Sequence, residues 1–140
     1  MKATVLYRIA SILLCVAVIG NTLWLLHFWR SPGPISSVNF QFGHRHLNYA
    51  QIVLALEVFC SLCVLFAAYL SWHLGALART TPQAIGALGW TLVAYQAAAT
   101  FVTLYYFSGF VFLISSAIAI CTAWATSLAG SRPSLPASDR

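Results

Sequence analysis

The sequence predicts an all-α membrane protein, an antiparallel bundle of four transmembrane helices with both termini cytoplasmic. Three observations carry that expectation. Of the 140 residues 61% are hydrophobic and only 6% charged, against roughly 25% charged in a soluble domain. Four apolar stretches each reach the ~20 residues that cross about 30 Å of hydrocarbon. The breaks between and after them hold Pro, Gly, Ser and most of the Lys and Arg.

The first span is expected at about Val5 to Trp29. Its basic start, Lys2 to Arg8, resembles a secretory signal, but the apolar run is too long for one and no small-x-small cleavage site precedes Arg30. Cys15 follows Leu13-Leu14 rather than the small residue of a lipoprotein site, so the helix reads as an uncleaved anchor. An outer loop, residues 30–48, opens with the helix stop Ser31-Pro32-Gly33-Pro34 and contains Val38 to Phe42, which alternates apolar and polar residues as a short strand does. The second span, Tyr49 to Leu77, is longer than a crossing needs, so it tilts or projects. At Thr81-Pro82 the spacing predicts a cap and first turn for the third span, Ile85 to Phe107. A tight turn at Ser108-Gly109 leads to the fourth, Gly109 to Leu128. Residues 1–130 thus form one four-helix transmembrane domain. Residues 131–140, rich in Pro and Ser, are expected to be a disordered cytoplasmic tail.

Positive charge sets the expected orientation. With the N-terminus inside, Lys2, Arg8, Arg79, Arg132 and Arg140 are cytoplasmic and Arg30 and Arg45 outside. Trp24, Trp29, Tyr49, Tyr105 and Tyr106 then mark the outer interface, with Tyr7, Trp72 and Trp124 toward the inner one. The formal net charge of +5 is spread over ends and loops, not gathered on one face, which gives no support to a nucleic-acid partner. Small residues such as Ala67, Ala68, Ser71, Gly75, Gly86, Gly89, Ser115, Ala119 and Ala123 offer close helix approach, within the bundle or toward a second copy or a membrane partner protein.

Counting inward from the outer helix ends at about 1.5 Å per residue places Asn21, Glu57, Gln96, Ser115 and Ser116 at a similar outer-third depth. Thr22, Thr100 and Thr103 add hydroxyls nearby. Glu57 is the only acidic residue outside the tail, and a carboxyl inside a span marks a functional site by default because its ionised form costs about 3 kcal/mol there. No Lys or Arg sits at its depth, so it is either protonated or held by neutral donors such as Asn21 and Gln96. Glu57, Asn21 and Gln96, with His27, Tyr49 and Gln51 at the mouth, form the expected ligand site. It is read as an outward-facing polar pocket for a small hydrophobic or cationic ligand within membrane lipid. The plainer alternative makes the same groups interhelical hydrogen bonds.

Two further patterns carry weaker chemistry. His44 and His46 share a side of an extended segment but are too few to hold a metal, and no metal or other cofactor is expected. Cys60-Ser61-Leu62-Cys63 is a C-x-x-C pattern within the second span. It is similar to the motif of vitamin K epoxide reductase and the disulfide-forming membrane oxidoreductases, which are also four-helix bundles. Those enzymes draw electrons through a second cysteine pair in an outer loop, and residues 30–48 contain none. Free Cys is also an ordinary small apolar residue of packed interiors.

The residues Met1 to Ala10, Gly20-Asn21-Thr22 and Pro82 to Trp90 resemble a group of small, mostly uncharacterised four-helix bacterial membrane proteins common in acidobacteria. The resemblance implies four spans and a bacterial inner membrane, and no activity. Relatives in that group often carry His where this chain has Asn21, so the polar layer itself departs from them. The lone membrane Glu is similar to that of small multidrug transporters, but there it lies in the first helix and all loops are short. Sterol-isomerase-like bundles share the fold alone. Three function classes therefore stay open: a ligand-binding membrane protein, an enzyme or proton-coupled transporter whose catalytic candidate is Glu57, and a structural or partner-binding subunit.

Overall fold

A computed structural model describes residues 2–30, 38–42, 45–81, 84–106 and 109–131, with backbone alone for Phe42, Arg45, His46 and Tyr106. It contains the helices α1 (Lys2–Arg30), α2 (Tyr49–Thr80), α3 (Gly86–Tyr106) and α4 (Phe110–Gly130), with strands β1 (Asn39–Phe42) and β2 (Arg45–Asn48) between α1 and α2. All four helices are long and apolar enough to cross a membrane. At 29 and 32 residues, α1 and α2 rise about 44 and 48 Å, well beyond a hydrocarbon core. The 21 residues of α3 and of α4 rise about 32 Å, close to one crossing.

The distribution of side chains is the reverse of a soluble bundle's. Ile12, Ile19, Leu23, Phe59, Phe66, Phe101, Leu113 and Ile120 are exposed, whereas Thr4, Ser11, Ser71, Gln96, Thr122 and Thr126 are buried. Large apolar residues outside and small or hydroxyl residues inside suit a lipid solvent, in which close backbone approach and hydrogen bonding hold helices together.

Helix ends are set by local chemistry. Asn48 closes β2 and caps α2 in the same step. The Gln51 N–H donates to Asn48 Oδ1 at 2.8 Å, and the Asn48 N–H donates to Gln51 Oε1 at 3.0 Å, a reciprocal pair that satisfies two exposed donors. At the far end the Thr81 N–H reaches Leu77 O. The expected start of α3 differs in detail: Thr81 acts through its carbonyl, which accepts the Ala84 N–H at 3.0 Å, while Pro82 lies outside the described residues. Between α3 and α4, Gly109 has φ +77° and ψ −124°, a backbone region that L side chains rarely adopt. That geometry suits the tight turn expected there, of which Ser108 lies outside the described residues.

The alternating segment forms β1, as the pattern predicts. Its partner β2 pairs with it antiparallel, Asn39 opposite Asn48, Phe40 opposite Leu47, Gln41 opposite His46 and Phe42 opposite Arg45. The Tyr49 N–H donates to Val38 O at 2.8 Å, fastening the hairpin to the first residue of α2. Ser131 closes α4 through its N–H to Ser127 O. The rest of the expected disordered tail lies outside the described residues.

The chain divides into two compact units, Met1–Leu13 with Ala67–Arg140, and Leu14–Phe66. The first has its core at Tyr7, which is fully buried between helices. Tyr7 fits because glycines face it. A Cβ on Gly75 would lie 3.3 Å from Tyr7 Cβ, and one on Gly89 would lie 2.8 Å from Ile85, 2.9 Å from Thr126 and 3.1 Å from the Tyr7 hydroxyl. The Tyr7 and Thr126 hydroxyls are 2.7 Å apart. Thr126 spends its own proton on Thr122 O at 2.8 Å, so Tyr7 donates.

Two further hydroxyls join α1 to α2 in this unit. Ser71 Oγ donates to the Tyr7 carbonyl and Ser11 Oγ to the Ala68 carbonyl, both at 2.9 Å. As α1 advances from Thr4 through Tyr7 to Ser11, its contacts on α2 run back from Gly75 through Ser71 to Ala68.

Candidate functional site

The site is built in the second unit from one turn of α1 and two of α2. Glu57 and Ser61 are four residues apart on α2 and so share a face. Opposite them on α1, the Asn21 side-chain amide donates from Nδ2 to Glu57 Oε2 at 2.7 Å and to Ser61 Oγ at 3.1 Å. All three residues are half-buried. Asn21 lies nine residues before the end of α1 and Glu57 eight after the start of α2, so about 12–14 Å of helix separates each from its end.

The electrostatics follow from what surrounds the carboxyl. Among the described residues Glu57 forms this one side-chain hydrogen bond and no salt bridge. An ionised carboxylate offers about four acceptor positions, and one neutral N–H occupies one of them. The charged form is therefore under-compensated. Such a group can accept a cation or a further hydrogen-bond donor.

The other expected site residues divide. His27 and Tyr49 are exposed at the ends of α1 and α2 in the same unit. The side-chain oxygen of Gln51 is engaged in the cap of α2, a role written in the Asn-x-x-Gln spacing of residues 48–51. Gln96 belongs to the first unit, where it is 2% exposed and its Nε2 has no hydrogen-bond partner among the described residues. Its backbone carbonyl accepts Thr100 Oγ1 at 2.8 Å. The Ser115 hydroxyl, 3.0 Å from Thr100 Oγ1, links α4 to α3 at that level. Ser61 was not foreseen as a site residue, although its i+4 spacing from Glu57 was the signal.

Cys15, Cys60, Cys63 and Cys121 are free thiols. His44 lies outside the described residues, as does the side chain of His46, and no group of three metal-ligating side chains occurs among the described ones. The first unit has an open apolar groove of about 380 Å³ lined by Lys2, Val5, Leu6, Trp124 and Leu128. None of the expected ligand residues lines it.

Compared with protein-family models, with curated proteins and with solved structures, the chain matches none.

Proposed function

We propose that the chain is a multi-pass protein of a bacterial inner membrane that binds a small hydrophobic or cationic ligand at Glu57. The carrying observation is the 2.7 Å hydrogen bond from Asn21 to a half-buried carboxyl that has no cationic partner among the described residues. A membrane carboxyl held by one neutral donor keeps acceptor positions open to a lipophilic cation. Asn21 and Ser61 orient the carboxyl, and His27 and Tyr49 flank the approach from the helix ends.

The arrangement proposed is an antiparallel bundle with both termini cytoplasmic. The reversed order of contacts between α1 and α2 in the first unit supports the antiparallel part. The five cationic residues Lys2, Arg8, Arg79, Arg132 and Arg140 against Arg30 and Arg45 support the orientation. The sequence resemblance to small four-helix bacterial membrane proteins supports the compartment.

The test uses tetraphenylphosphonium as the probe cation and the full chain in gentle detergent. Glu57→Gln keeps the shape and a hydrogen-bonding side chain while removing the charge. It should weaken binding at least about tenfold, roughly 1.4 kcal/mol, with helix content and thermal midpoint little changed. Equal affinity of the two chains would overturn the reading.

A further inference from the structure

A second charged group inside the helices lies far along α1 from Asn21 and takes no part in the Glu57 reading. Arg8 sits six residues past the start of α1, about 9 Å along the helix. Its stem packs on α2, with Cγ 3.7 Å from the position a Cβ on Gly75 would take. Its guanidinium carbon lies 4.9 Å from the centre of the Trp72 ring, within cation–π range. Nε is buried and has no hydrogen-bond partner among the described residues. The side chain is thus held in place and half-buried, with Nε unpartnered among the described residues.

No acid of this unit answers that charge among the described residues, since the chain's two acids are Glu57, in the other unit, and Asp139, beyond the described part of the tail. Lys2 and Arg79 add positive charge to the same unit. Arg79 is seven residues beyond Trp72, two helical turns along the same face of α2, and is exposed. A guanidinium presents a planar fork of donors that matches two oxygens of a phosphate. At a depth of about 9 Å from a helix end, the group that supplies such oxygens in a bilayer is the lipid phosphodiester, reached by snorkelling.

We infer that Arg8, braced on Trp72 and assisted by Arg79, is a binding site for the phosphate of an anionic phospholipid. Trp72 fixes the plane of the guanidinium, Gly75 leaves room for its stem, and the lipid phosphate meets the terminal nitrogens, Nε being shut off from outside. The site stands independently of Glu57.

The experiment is native mass spectrometry of the full chain in detergent with added phosphatidylglycerol or phosphatidylcholine. Each cation near a membrane surface strengthens attraction to anionic lipid about fivefold. The native chain should therefore retain phosphatidylglycerol at least about fivefold better than phosphatidylcholine. Arg8→Gln should lower that preference about fivefold with circular dichroism unchanged. Arg8→Lys, which keeps the charge and loses the fork, should retain only part of it, and Trp72→Leu should reduce it while leaving the charge count intact. Absence of a preference in the native chain, or its undiminished survival in folded Arg8→Gln, would overturn the proposal. So would competition by millimolar inorganic phosphate equal to that of the lipid, which would assign a free anion. An Asp139→Asn change that destabilises the lipid-free chain as much as Arg8→Gln would assign the tail as partner and overturn it too.

Discussion

The two compact units draw on the same apolar alphabet and hold themselves together differently. In the first, Thr4, Tyr7, Ala68, Ser71, Leu74, Ile118, Thr122 and Thr126 are buried, glycines admit a tyrosine between helices, and three side-chain hydrogen bonds reach across from one helix to another through residues of α1. In the second, Leu14 and Ala50 are the buried residues among those described, and the helices meet through one amide that serves a carboxyl and a hydroxyl. Stability against helix separation in lipid comes from close packing and from saturated hydrogen bonds. The first unit has close packing and several hydroxyl bonds between helices, although Arg8 Nε and Gln96 Nε2 have no partner among the described residues, whereas the second spends its cross-helix contact on an ionisable group. The difference teaches where stability and where chemistry reside: substitutions in the first unit should be read in melting behaviour, those in the second in binding.

The strongest challenge to this division is a pair of glycine substitutions. Gly89→Ala forces a methyl against Ile85, Thr126 and the Tyr7 hydroxyl, and should cost about 1–3 kcal/mol, the usual range for overpacking. Gly20→Ala in the second unit meets nothing within 4 Å, and should stabilise the helix by about 0.5–1 kcal/mol by restricting the unfolded chain. Thermal unfolding in one detergent compares the two directly, and equal effects would erase the contrast. Next in size, Tyr7→Phe removes the bond to Thr126 while keeping the ring. A loss of about 0.6–1.7 kcal/mol is expected, seen as a lower midpoint with tetraphenylphosphonium binding intact. The smallest stability effect is expected at Asn21→Leu, about 0.6 kcal/mol or less. There the probe's dissociation constant should rise several-fold although the midpoint hardly moves. A large stability loss with unchanged binding would make the Asn21–Glu57 pair structural.

How far these features were legible in the sequence depends on the range of the interaction. Four runs of some twenty apolar residues specify helices by length alone, so the expected ends fall within three residues of α1, α2, α3 and α4. β1 was legible because Val38 to Phe42 alternates. β2 was not, because Arg45-His46-Leu47-Asn48 carries no apolar period and becomes a strand by pairing. Asn21 and Glu57 could be matched by counting depth, since equal rise from the helix ends brings them level. Tyr7 could not be placed that way. Depth says nothing of rotation about the helix axis, and the space that receives the ring is set by Gly75 and Gly89, far away in sequence. The same holds for Arg8 and Trp72, whose encounter depends on which faces α1 and α2 turn to each other. Gln51 illustrates the opposite range: a local pattern, the capping box, engages its oxygen before any distant partner can.

That capping box also acts as a mechanical joint. Strand β2 ends at Asn48 and α2 begins at Tyr49, with Tyr49 bonded back to Val38 and Asn48 bonded forward to Gln51, so no slack residue separates hairpin from helix. Each helical residue advances the azimuth by about 100°, and the eight steps from Tyr49 to Glu57 fix the phase between hairpin and carboxyl. The hairpin is therefore a pointer attached to α2. A spectroscopic label on its polar strand residue Gln41 would report any twist of the helix that carries Glu57. One residue inserted after Asn48 would turn the pointer by about a quarter of a revolution while leaving the apolar length of the helix sufficient to span.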